Sequence, residues 1–155
     1  MIDKAKVLAA FVQLHAEKVT DLEQALHGTQ RDVVSAPGSS ESHSDTMKFQ
    51  HSNLALGIQG RFLEAQQTAA IFSFLTPEAK SIASEGALVS VRDMKLDKDF
   101  HYLIVPKGGG DVVEIDGQEI MAISVEAPIA KALIGKRQGE VAIFRDKSFK
   151  VTSVQ

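Results

Sequence analysis

The sequence predicts an α+β protein in which an antiparallel hairpin of two long helices precedes a small antiparallel β domain carrying one short helix. Three observations lead there. From Ile2 to about Val34 there is no proline, and apolar positions recur in alternating steps of four and three, which is a heptad seam. A second seam of the same kind runs from Met47 to Phe72. Beyond Thr76-Pro77 the apolar period changes to two, the period of half-buried strands.

The first seam consists of Leu8, Val12, His15, Val19, Leu22, Leu26, Thr29 and Val33. Gly28 weakens a helix by about 1 kcal/mol relative to Ala, so the first helix is expected to loosen there. Residues 35–44 concentrate Ser, Pro and Gly, which sets the hairpin tip at about residues 35–45 and makes Ser44 or Asp45 the cap of the next helix. The second seam is Met47, His51, Leu54, Ile58, Phe62, Ala65, Ala69 and Phe72.

Folded back on each other, the seams are complementary. Val33 falls opposite Met47, Leu26 opposite Leu54, Leu22 opposite Ile58 and Val19 opposite Phe62, while Val12 and His15 meet Ala69 and Ala65. Thr29 meets His51 in a polar layer suited to fixing the register. Pairing within one chain leads to the expectation of a monomer. At 1.5 Å per residue the arms measure about 42 to 48 Å, more than a small domain needs for its own core. Such a hairpin is built to reach another molecule.

The strands expected after Pro77 are residues 87–92, 100–105, 112–115, 119–124, 139–144 and 149–154, with a short helix from Pro128 to Ile134 stopped by Gly135. The domains are therefore residues 1–76 and 77–155. Lys107-Gly-Gly-Gly-Asp111 lacks the Gly-Lys-Ser/Thr of a phosphate loop and is expected to be a hairpin turn. Ser90 and Ser124 have no adjacent His-acid pattern that marks a nucleophile.

Composition narrows the function classes. A net charge of −3 supplies no whole-chain attraction to duplex DNA. The absence of cysteine removes disulfides, thiolate metal sites and cysteine nucleophiles, and is compatible with a cytoplasmic protein. Charges at Asp3, Lys4, Lys6, Glu17 and Lys18 break up the N-terminal apolar stretch, so neither a signal peptide nor a membrane span is expected.

The stretch from Ile123 to Glu140, ISVEAPIAKALIGKRQGE, resembles the C-terminal domain of the Gre transcript-cleavage factors, whose pattern is I-S-x-x-S-P-x-A-x-x-L-x-G-K-x-x-G-D/E. Ala127 departs from it, standing where the family has serine. The resemblance implies an FKBP-like C-terminal domain that holds the rim of the RNA polymerase secondary channel while the hairpin enters it. RNA polymerase is then the partner, with indirect contact to the nascent RNA, and the protein modulates elongation instead of acting as a free-standing enzyme. By the same resemblance the polymerase-binding residues are Ser124, Glu126, Pro128 and Ile129.

In the family two acids at the hairpin tip, in a G-D-x-x-E-N arrangement, help hold a second magnesium ion of the polymerase active centre. Carboxylates suit that task because Mg²⁺ prefers hard oxygen ligands. The chain matches in part. Laid on residues 44–48, the arrangement puts Asp45 in the first acidic place and Lys48 in the second; laid without gaps from Gly60-Arg61, it puts Glu41 in the first and Ser44 in the second. The tip acids Glu41 and Asp45 are four residues apart, and stand as the candidate pair within the polymerase active centre. No cofactor of the chain's own is expected. Lys48, Arg31 and Arg61 are either contacts to the RNA end or channel wall, or a solvated helix face.

A competing function is an FKBP-like peptidyl-prolyl isomerase or chaperone, on the similarity of Ala132 to Glu140 to the FKBP stretch before its penultimate strands. Active FKBP domains have an aromatic pocket commonly floored by Trp, whereas this chain has no Trp and places Ile129 there. A third reading is a coiled-coil oligomerisation module.

Overall fold

The structure is a computed structural model that describes residues 1–35 and 41–155, with side chains described outside residues 30, 32–35 and 41–45. Its elements are helices α1 (Lys4–Ser35) and α2 (Glu41–Phe74), strands β1 (Leu88–Asp93), β2 (Lys98–Val105), β3 (Val112–Ile115) and β4 (Gln118–Ser124), helix α3 (Pro128–Leu133), and strands β5 (Val141–Phe144) and β6 (Lys147–Val154). The expected α+β class and all the expected elements are present. The chain divides into two compact units, one of residues Gln13–Ala70 and one combining Met1–Val12 with Ile71–Gln155.

Asp3 starts α1 as its cap. Its Oδ1 accepts hydrogen bonds from the backbone N–H of Ala5 at 2.9 Å and Lys6 at 3.4 Å, satisfying donors that the first turn leaves free. The helix then runs unbroken through Gly28, against the expected loosening. One unfavourable residue does not outweigh the cooperative hydrogen bonding of a 32-residue helix held against a partner. Only residues 36–40 separate the two helices, and Phe11 near the start of α1 stacks on Phe72 near the end of α2 with ring centroids 5.2 Å apart. A short link joined to a contact between those far ends requires antiparallel helices.

The seams hold in outline and shift in detail. Leu8, His15, Thr29 and Phe72 are buried, and Val19, Leu22, Leu26, His51, Ile58, Phe62, Ala65 and Ala69 are half-buried. Half-burial is what a hairpin provides, because each seam residue has one facing helix and solvent on its flanks. Three expected seam positions are exposed instead: Val12, Met47 and Leu54. Phe11 and Ala55, one residue away in each case, take the inward places of Val12 and Leu54. A heptad count drifts about 20° per repeat against a straight α-helix, which is enough to move a position at the seam edge out of contact. Thr29 donates its hydroxyl to the Ala25 carbonyl at 2.8 Å, so its polar group is satisfied inside its own helix. The side chain of Val33 lies outside the described residues.

The tip is shorter than expected. Helix α2 begins at Glu41, so Ser44 and Asp45 are helical and neither caps it.

In the other unit the six strands form one sheet in the order β3-β4-β2-β1-β6-β5. Neighbours are antiparallel except β2 and β4, which are parallel in the register His101↔Ile120 to Val105↔Ser124. The fully antiparallel sheet expected from the strand spacing is corrected at this pair. The reason is the loop 106–111, which crosses over β4 so that β3 and β2 flank it on opposite sides. Lys107–Asp111 is therefore a crossover and not the expected hairpin turn.

Strand alternation sorts the core. Val89, Val91, Ile104, Ile123, Phe149 and Val151 pack with Ala130 and Leu133 of α3. Leu88 and Leu103, paired across β1 and β2 on the opposite face, are fully buried as well. The same unit contains the fully buried Val7, Phe11 and Phe72 of the helix bases. Lys4 donates to the Glu78 carbonyl at 2.6 Å, and its burial, with Lys80 nearby, pulls the ammonium below its ordinary value.

Candidate functional site

Ser124, Glu126, Pro128 and Ile129 fall within the single turn that leads from β4 into α3. Pairing with β2 continues one residue past the strand, where Val125 N–H donates to the Val105 carbonyl at 2.9 Å. The chain then reverses, with Ala127 N–H donating to the Ser124 carbonyl at 2.9 Å. Ala127 has φ −62° and ψ 137°, the extended conformation imposed on a residue before proline. Pro128 occupies the first turn of α3, where a missing N–H costs nothing.

The helix is fixed from below. Ala130 and Leu133 are fully buried, and Ile129 is half-buried against the same core. Gly135, at φ 86°, ends α3 in a conformation that suits glycine, and its N–H donates to the Ala83 carbonyl at 2.8 Å. On the outside, Pro128 is exposed and Glu126 pairs with Lys131 at 2.8 Å. The hydrogen bond from Lys131, and then its charge, hold the Glu126 carboxyl below the usual range. The turn thus presents an ionised carboxylate beside a rigid proline on an anchored helix. Ser124 is half-buried, and Ile129 divides its surface between core and solvent.

A glycine loop packs against the start of this turn, a contact the sequence reading missed. Gly109, at φ 110°, presses on the end of β4 so closely that an added Cβ would stand 2.9 Å from the Ser124 nitrogen and 3.1 Å from the Ala122 oxygen. Gly110 N–H donates to the Ala122 carbonyl at 2.8 Å, and Ala122 N–H to the Asp111 carbonyl at 2.9 Å. A run of three glycines was the available signal, because close backbone approach needs residues without side chains.

The remaining motif residues build turns. Gly139 has φ 89°, and Glu140 accepts a hydrogen bond from Arg137 N–H through Oε2 at 2.6 Å. The glycines and acid of the G-K-x-x-G-D/E segment therefore shape the entry to β5.

Of the tip acids, Glu41 opens α2 and Asp45 follows within the same helix, while their side chains lie outside the described residues. Lys48, Arg31 and Arg61 are exposed. Among the described residues no group of three or more His, Cys, Asp or Glu is arranged to hold a metal ion.

A second polar cluster, not foreseen from sequence, lies across β1 and β2. His101 Nδ1 is 2.8 Å from Ser90 Oγ, and Arg92 makes a two-point ion pair with Asp99 at 2.8 and 2.9 Å. Ser90 and His101 are register partners, as are Arg92 and Asp99. Burial lowers the His101 pKa against the opposing pull of Asp99. Ser90 is buried and the Asp99 carboxylate is occupied by Arg92, so these are cross-strand register pairs.

Residues 78–155 match the family model described as "Transcription elongation factor, GreA/GreB, C-term". The chain belongs to the GreA/GreB transcription elongation factor family. Among curated GreA proteins, it is 35% identical to that of Ralstonia nicotianae over 55% of this chain and 52% of that protein. It is 33% identical to that of Thioalkalivibrio sulfidiphilus over 63% of each, and 26% identical to that of Halorhodospira halophila over 90% of this chain and 92% of that one. The chain thus spans less than two thirds of the first two relatives it matches. Two solved structures of Gfh1 are also similar. One covers 94% of both chains at 17% identity and a TM-score of 0.41; the other, from Thermus thermophilus, covers 97% of this chain and 93% of its own at 18% identity and a TM-score of 0.38. The GreA/GreB C-terminal region takes in the whole β4–α3 turn. Among the described residues no helix is long and apolar enough to cross a membrane.

Proposed function

We propose that this GreA/GreB-type factor is an accessory protein in the cytoplasm that binds RNA polymerase, with its helical hairpin entering the secondary channel and the β4–α3 turn seated on the channel rim. The observation that carries this reading is the presence in one chain of the family's C-terminal domain, over residues 78–155, and of two helices of 32 and 34 residues. At 1.5 Å per residue those helices are about 48 to 51 Å long. Glu126 and Pro128 supply the docking contact, with Ile129 and Ser124 beneath it.

The reading extends to the tip. A carboxylate contributes to magnesium binding through its oxygens and its charge, whereas an ammonium at the same place repels the ion. Both alignments leave one acid of the pair unfilled, with Lys48 or Ser44 in the second place, so the factor occupies the channel and stimulates transcript cleavage weakly. The test uses a backtracked elongation complex and compares RNA 3′-end release by the natural protein, by a Glu41→Ala, Asp45→Ala double variant, and by Lys48→Glu. Binding with little cleavage, and a gain from Lys48→Glu, are expected. Strong cleavage by the natural protein that the double alanine abolishes would make Glu41 and Asp45 a working pair and overturn the reading of the tip. Failure to bind polymerase at all would overturn the function.

A further inference from the structure

Glu126 and Lys131 stand at two positions that the family motif leaves unspecified, and in this chain they carry opposite charges. The fold brings them together. Lys131 N–H donates to the Ala127 carbonyl at 3.0 Å, which fixes the lysine one helical turn beyond the docking turn. Ala130 and Leu133 of the same helix are fully buried, so α3 cannot rotate to carry the lysine away. Side chains on a helix lean toward its N-terminus, and Lys131 accordingly reaches back over the turn that precedes it. Its Nζ meets Glu126 Oε2 at 2.8 Å.

The pair adds little to folding. The Lys131 and Glu126 side chains are 60% and 78% exposed, and ion pairs in that setting contribute little to stability. Its effect is on the order of the carboxylate. A glutamate free on a surface samples many rotamers, and a partner that binds it must freeze them. Here the lysine occupies one oxygen and leaves the other, Oε1, with no hydrogen-bond or ion-pair partner among the described residues. The hydrogen bond and charge of Lys131 also keep the carboxyl ionised to lower pH than usual. Such a carboxylate accepts its strongest hydrogen bonds from charged donors.

We propose that Lys131 is a positioning residue for polymerase docking: it holds the Glu126 carboxylate beside Pro128 so that Oε1 accepts a hydrogen bond from a lysine or arginine of the partner. This role rests on the docking reading of the β4–α3 turn. Ordering one long side chain before binding is worth about two- to tenfold in affinity, because the partner no longer has to freeze it.

Equilibrium binding of the full chain to core RNA polymerase provides the test. Lys131→Met keeps the apolar stem of the side chain and removes its charge. It is expected to weaken binding about two- to tenfold, with circular dichroism and thermal midpoint unchanged, whereas Lys131→Arg keeps the affinity. In a Glu126→Ala background Lys131→Met has no further effect, because no carboxylate is left to position. A second measurement needs no polymerase. In a carboxyl NMR titration of the free chain, Lys131→Met makes Glu126 titrate at a higher pH than in the natural protein. Natural affinity in Lys131→Met, or an unmoved Glu126 titration, overturns the positioning role and leaves the docking reading standing. Losses that multiply in the double variant overturn it too, since they make Lys131 a polymerase contact in its own right. No binding by the natural chain overturns the docking reading itself, and the role of Lys131 with it.

Discussion

Ala127 shows how one atom separates a motif from its local chemistry. The family's serine at this place precedes Pro128 at the start of α3, where a hydroxyl accepts a hydrogen bond from an unpaired first-turn N–H. Ala127 is the cap residue here and makes no side-chain bond. Ala127→Ser is expected to stabilise the C-terminal unit by about 0.5 to 2 kcal/mol, read as an upward shift of several degrees in thermal midpoint for a domain of this size. An unchanged or lower midpoint would show that the hydroxyl serves another purpose. Asp93 yields a pH prediction. Its fully buried side chain accepts Leu96 N–H at 3.0 Å and Lys95 N–H at 2.8 Å through Oδ1, with Lys147 3.6 Å from Oδ2. The Leu96 bond foremost, aided by Lys95 and Lys147, keeps its pKa below the ordinary 3.8. A carboxylate with a lowered folded pKa contributes its full stability above 3.8 and loses it as pH falls through the lower folded value. Thermal midpoints should therefore drop in that acid window, and Asp93→Asn should flatten the drop; an equally steep acid limb in the variant would exclude Asp93 as a cause.

At the scale of elements, periodicity made helices and strands legible because burial acts through it. A one-sided apolar row requires period 3.6 on a helix and two on a strand. What the pattern missed was which of two adjacent residues turns inward, as with Val12 beside Phe11 and Leu54 beside Ala55, since both lie within the width of one helix face. It also missed the course of the loop 106–111, because glycine-rich loops serve hairpins and crossovers alike and only the sheet order distinguishes them. The hairpin register is testable as a unit. Val19→Cys with Phe62→Cys should be joined by a short thiol crosslinker within one chain, at concentrations low enough to exclude encounters between chains. Links formed only between chains would mean that the first seam pairs intermolecularly.

For the whole molecule, the family was readable from ISVEAPIAKALIGKRQGE, yet much of that motif folds the chain instead of contacting a partner. Gly135, Gly139 and Glu140 shape turns, and Ala130 and Leu133 fill the core. Of the residues assigned to docking only Glu126 and Pro128 are exposed, and the packing of the loop at Gly109 against Ser124 was hidden because it approaches from a distant part of the sequence. The tip acids were equally illegible, since two alignments assign them differently and spacing alone does not choose. The central claim is that the β4–α3 turn seats this factor on RNA polymerase. Its most direct test is the equilibrium affinity of the natural chain and of Glu126→Lys for core polymerase, with circular dichroism confirming that the variant folds. The account predicts measurable binding by the natural chain and at least about tenfold weaker binding by the variant, as expected when a charge reversal opposes like charges across an interface. Equal affinities for the two folded proteins, or no binding by either, would contradict it.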